Sequence, residues 1–101
     1  MNAVAKLKAW NFQVLMLVQA MLGAVTPNFR MVVLSCEVDV WVIRFYLEKN
    51  IEDDIAEIED IICQYAAYQD SSLQCKSEIL VGNENLPSFS EGNRAVYRRK
   101  E

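Results

Sequence analysis

The run Val40-Trp41-Val42-Ile43-Arg44-Phe45-Tyr46-Leu47-Glu48 is dense in β-branched and aromatic residues, the side chains that suit an extended, half-buried chain. Trp41, Ile43, Phe45 and Leu47 fall on one face and Val42, Arg44, Tyr46 and Glu48 on the other, the period of two expected of a strand that covers a core with one side. Just upstream, Phe29-Arg30-Met31-Val32-Val33-Leu34-Ser35-Cys36 has the same character, and only Glu37, Val38 and Asp39 separate the two. The spacing predicts a β-hairpin over residues 29–48. Its turn lacks the favoured Asn-Gly type of pair, which leaves the register open by one residue.

Downstream, Asn50 is placed to cap a helix, with Glu52, Asp53 and Asp54 in the first turn, where the helix dipole favours negative charge. Ile51, Ile55, Ile58, Ile62 and Tyr65 then step by four, three, four and three, an apolar stripe that would pack on the hairpin. This predicts a helix over residues 51–68. Asp70, Ser71 and Ser72 break the pattern, Ser77 to Val81 reads as a short strand, residues 82–93 as a loop, and residues 94–101 as a last edge strand or a tail. Upstream, Leu7, Trp10, Val14, Leu17 or Val18, Met21, Leu22 and Val25 recur at helical spacing. Gly23, Thr26 and Pro27 end that pattern, which sets a first helix over residues 4–22. The order helix, strand, strand, helix, strand and an optional last strand predicts an α+β fold. Its form is a two-layer sandwich, a small, mainly antiparallel sheet with helices on one face.

At 101 residues, 52% hydrophobic and 24% charged, the chain is expected to form a single domain, 1–101, around one core. There is no histidine, which removes the commonest general base and zinc ligand and argues against an enzyme. Cys36, Cys63 and Cys75 form no C-x-x-C pair. Cys36 and Cys63 therefore read as small buried hydrophobes in a reducing compartment. Lys6 and Lys8 followed by the stretch from Ala9 to Val25 resemble a secretory signal, but Asn11, Gln13 and Gln19 interrupt it. A packed helix of a cytoplasmic protein with no membrane span is the better reading.

Charge is unevenly spread. From Glu48 to Asp70 there are eight carboxylates and one base, Lys49, whereas Arg94, Arg98, Arg99 and Lys100 oppose only Glu101 at the end. Paired carboxylates for glycoside hydrolysis need a cleft at fixed separation, and here they crowd one helix. A divalent-metal loop needs a glycine turn and a distal glutamate, which Glu-Asp-Asp-Ile-Ala-Glu-Ile-Glu-Asp lacks. No glycine-rich phosphate loop is present, so no cofactor and no metal are expected. Two readings of the acidic helix survive: a solvated face that maintains solubility, and a docking surface for a cationic protein. On the second, Glu52, Asp53, Asp54, Glu57, Glu59 and Asp60 are the charge contacts, with Tyr46, Tyr65 and Tyr68 as anchors. Trp10, Phe12, Phe29, Trp41 and Phe45 read as core, and the basic end is too weak a signal for direct nucleic-acid binding.

The segments Leu22-Gly23-Ala24-Val25-Thr26-Pro27-Asn28-Phe29-Arg30 and Arg44-Phe45-Tyr46-Leu47-Glu48 with the acidic helix, and the closing Val96-Tyr97-Arg98-Arg99, resemble a family of short bacterial proteins. These are the immunity proteins encoded beside polymorphic toxins, especially in contact-dependent growth inhibition systems. The resemblance implies a cytoplasmic protein, monomeric when free, that binds and blocks the toxic C-terminal domain of one cognate effector, commonly a nuclease. The alternative is a small homo-oligomeric structural or regulatory protein, joined through the hairpin edge or the apolar first helix.

Overall fold

The computed structural model describes residues 2–69, 74–88 and 92–101. Two helices and four strands follow in the order α1 (Ala3–Met21), β1 (Phe29–Glu37), β2 (Val40–Leu47), α2 (Glu52–Ala67), β3 (Cys75–Val81) and β4 (Asn93–Arg98). The strands form one sheet in the order β3-β2-β1-β4. β1 pairs antiparallel with β2 and β4, while β3 lies parallel to β2. This is the expected α+β sandwich with an edge strand, not a tail, at the end. The break read at Asp70, Ser71 and Ser72, and loop positions 89–91, lie outside the described residues.

The two faces of the sheet are covered differently. Phe29, Val32, Leu34, Ile43, Phe45 and Leu47 pack in one cluster with Trp10, Leu17, Ala20 and Met21 of α1 and Ile58, Ile61 and Tyr65 of α2. Burying each such large side chain contributes roughly 1.5–3 kcal/mol. Met31, Val33 and Val42 are also buried but lie outside that cluster, on the far face. Topology accounts for this. β2-α2-β3 moves outward to one edge with its helix on the near face, and Gly82, Glu84, Asn85 and Leu86 beyond β3 line a cleft with Tyr46 on the far face.

The hairpin turn is tighter than its composition suggests. Glu37 pairs with Val40, leaving Val38 and Asp39 as a two-residue turn with φ of 48° and 64°. Positive φ at both positions suits the strand twist but is costly for a β-branched residue. Val38 is 96% exposed and gains no packing in return. Replacing the pair by Asn-Gly (V38N with D39G) should raise stability by about 1 kcal/mol in urea melts.

At the other end of the hairpin the ladder slips between Phe29 and Met31, so that Arg30 is an extra, bulged residue. The bulge aims a buried guanidinium across the end of the sheet. Arg30 Nη1 donates to the carbonyls of Gly82 (3.0 Å) and Glu84 (2.9 Å), and Nε and Nη2 grip both carboxylate oxygens of Glu101 at 2.9 Å. Arg99 joins the network through Glu101, Glu48 and the Pro27 carbonyl. These bonds, Arg30 first, hold the Glu101 carboxyl below its ordinary pKa. A depressed folded value means the contribution to stability is present above the unfolded glutamate pKa and is lost as pH falls through the folded one. Urea titrations from neutral to acid pH should show E101Q less stable than the parent at neutral pH, with the gap closing on acidification.

Several local expectations fail. Asn50 does not cap α2: the N-cap is Ile51, which makes no side-chain capping bond. The buried line of α2 is Asp54, Ile58, Ile61 and Tyr65, with Ile55 and Ile62 half-buried beside it and Ile51 exposed. That rotation turns Cys63 outward, so it is exposed rather than core. On α1 the buried line is Trp10, Gln13, Leu17, Ala20 and Met21, and Leu7, Phe12 and Leu22 stand in solvent. An apolar residue on nearly every side of α1 gives periodicity too little contrast to select the packed one.

Candidate binding surface

α2 carries six carboxylates and no basic residue between Glu52 and Ala67. Its position is fixed from beneath by the Ile58, Ile61 and Tyr65 line, and at its N-terminus by Asp54. That carboxylate is 5% exposed and accepts from Thr26 Oγ1 at 3.0 Å and Asn28 Nδ2 at 2.9 Å. Asn28 also brackets the preceding loop, donating to the Lys49 carbonyl and accepting from the Lys49 N–H, both at 2.8 Å. Asp54 is thus a tie between the α1-β1 loop and α2, not a contact offered to a partner.

At about 100° per residue the remaining five carboxylates form two rows. Asp53, Glu57 and Asp60 run along one flank of the exposed side and Glu52 and Glu59 along the other, all solvent-facing. Ala56 and Cys63 occupy the crest between them, so no bulky side chain separates the rows. Like charges four and three residues apart, Asp53 with Glu57 and Glu57 with Asp60, each cost about 0.2–0.5 kcal/mol. Only Glu52 and Asp53 are near enough to the N-terminus for the dipole to offset this.

The contrast with the sheet is sharp. Glu37 and Glu78 both bind Arg44, and Glu48 and Glu101 bind Arg99. Among the described residues no ion pair involves Glu52, Asp53, Glu57, Glu59 or Asp60. No cluster of potential metal ligands is found among the described residues.

The three tyrosines separate. Tyr65 is fully buried, its hydroxyl donating to Gln13 Oε1, and burial pushes its pKa upward. Tyr46 is half-buried on the far face of the sheet, where it lines a cleft of about 510 Å³ with Arg30, Leu80 and Leu86. It cannot share a partner surface with the exposed side of α2. Of the three, Tyr68, 43% exposed at the C-cap of α2, is the one exposed on the acidic helix, about 12 Å along the axis beyond Asp60. The buried Gln13-Tyr65 pair escaped sequence reading because a glutamine on an apolar helix looks like an interruption. Asp54 did carry a signal: it precedes Ile58 by four residues and so falls in phase with Ile61 and Tyr65.

No described helix is long and apolar enough to cross a membrane. The family model described as MafI2 immunity protein matches residues 13–101, that is, everything from the second half of α1 onward. No curated protein matches the chain. Maf is a toxin system related to, but different from, contact-dependent growth inhibition.

Proposed function

The chain belongs to the MafI2 immunity protein family, bacterial proteins that protect against a cognate toxin of a polymorphic, Maf-type system, and from that premise we propose that it neutralises its toxin through the exposed acidic side of α2. The contacts are Glu52, Asp53, Glu57, Glu59 and Asp60, with Tyr68 as the anchor at the helix end. The observation that carries this reading is the absence, among the described residues, of any cation paired with these five carboxylates, although four carboxylates on the sheet side are paired. Beyond the first turn they lower helix stability, and a basic partner is what repays them.

The toxin's catalytic domain is a nuclease, whose phosphate-binding cleft supplies the basic complement. The chain acts by occupancy and not by turnover, in the cytoplasm, where such an activity would strike the cell that makes it. A rigid helix suits the task, since little conformational freedom is lost on binding.

Hydrogen exchange on the complex with the cognate toxin domain tests the surface. Backbone amides of α2 should gain protection, those around the Tyr46 cleft should not, and the reverse pattern rejects the α2 reading. A toxin domain without nuclease activity on DNA or RNA would reject the nuclease while leaving the surface standing.

A further inference from the structure

We infer that the outer side of α1 is a dimer interface, along which the α1 of a second copy of this chain lies antiparallel. Val4, Leu7, Leu15, Val18 and Leu22 are all exposed, Leu22 by 71% and Val4 by 64%, and Phe12 flanks them. With Asn11 they step by three, four, four, three and four, within an arc of roughly 80° that runs about 27 Å along the helix. Together these side chains expose roughly 600 Å² of apolar surface, the top of the range for the largest patch on a monomer and most of one side of a standard interface. The family resemblance implies a free monomer, and the helical spacing counts Leu7 and Leu22 in the packed face; the structure turns them out.

Charge selects the occupant. Residues 9–25 contain no charged side chain, so this face offers nothing to the basic partner of α2. Lys8 sits near the positive N-terminal end of its own helix dipole, which has no acidic residue in its first turn. The negative end has no basic residue in the last turn. An antiparallel pair sets Lys8 of each copy beside the last turn of the other, correcting both defects, whereas a parallel pair stacks Lys8 on Lys8 and aligns the dipoles.

Full overlap of the two stripes puts the two-fold axis near Gln13. The Asn11 side chains of the two copies then lie within about 6 Å of each other along the axis. A polar pair at that position is a known means of fixing register in helix pairs. Beside the stripe, a groove of about 420 Å³ between α1 and β4, lined by Val14, Leu15, Val18 and Arg94, gives side chains of the second copy a place to seat.

Sedimentation equilibrium of the full chain, from micromolar to near-millimolar and at low and high salt, tests this. The expected mass is that of two chains, with little salt dependence. Leu15→Glu should raise the dissociation constant by about a hundredfold, because the two-fold counts each substitution twice. Its exposure keeps the fold safe, which circular dichroism checks, and Leu22→Ser at the helix end gives a smaller shift in the same direction. Lys8→Gln should weaken an antiparallel dimer a few-fold but would tighten a parallel one, where it removes the Lys8–Lys8 repulsion. A chain that stays monomeric, an unchanged Leu15→Glu dimer, a tighter Lys8→Gln dimer, or a stripe protected only when toxin is added each overturns the proposal. None of these outcomes depends on which surface of α2 meets the toxin.

Discussion

Reversing Asp53, Glu57 and Asp60 to lysine slows association with the cognate toxin domain by roughly a hundredfold at low salt, within the range that electrostatic steering commands. These three form the longer of the two acidic rows, and the change moves the helix by six charges, from strongly attractive to repulsive toward a basic cleft. The parent's association rate should fall steeply with added salt, while the variant's should be flat or rise, because screening removes repulsion as readily as attraction. Stability is affected little. Two like-charge contacts along α2 become two others of the same kind, and only Asp53 gives up a favourable dipole interaction, about 0.3–1 kcal/mol. Stopped-flow binding with a parallel urea melt separates the two effects. An unaltered rate and salt slope, with full protection of cells, would move the toxin contact to another surface. Reversing Glu52 and Glu59 instead tests the second row, and a smaller effect there orients the partner across the crest.

The hairpin and the acidic helix are legible in the sequence because each has contrast: strict alternation from Trp41 to Leu47, and isoleucines set among carboxylates from Glu52 to Ile62. The parallel direction of β3 and the pairing of β4 with β1 are long-range matters, not fixed by any local pattern. α1 shows the opposite failure. Its length is easy to read and its orientation is not, since Leu7, Phe12, Leu15 and Leu22 are as apolar as the residues it buries. In the candidate site the exposed carboxylates are identifiable from composition, but Asp54 and Tyr65 belong to the interior. A rotation of the packed line by about half a residue, from Ile51-Ile55-Ile58-Ile62-Tyr65 to Asp54-Ile58-Ile61-Tyr65, moves Asp54 inward and Cys63 outward. Polar groups mislead here because burial with partners leaves no trace in residue type.

Asp54 therefore yields the sharpest separation of stability from binding. Asp54→Ala removes a buried carboxylate that accepts one bond from Thr26 and one from Asn28, leaving the Thr26 hydroxyl without its acceptor in a partly buried site and the Asn28 amide with only its bond to the Lys49 carbonyl. Bonds to a charged group contribute about 1.5–3 kcal/mol, and an orphaned buried donor costs about 1–3 kcal/mol more where water cannot reach it. A loss of about 3 kcal/mol is expected, against less than about 0.5 kcal/mol for the exposed neighbour in Asp53→Ala. Asp54→Asn should fall between, since its one carbonyl oxygen can accept from either donor but its NH2 group takes the place of the second oxygen and cannot accept from the other. The loss also loosens the α1-β1 loop from the start of α2, so hydrogen exchange should quicken first at residues 26–28 and 52–55. Yet the toxin's association rate with the folded fraction should be nearly unchanged in Asp54→Ala and measurably slowed in Asp53→Ala. If Asp54→Ala instead binds slowly while melting like the parent, the carboxylate faces the toxin, and the interior role assigned to it is wrong.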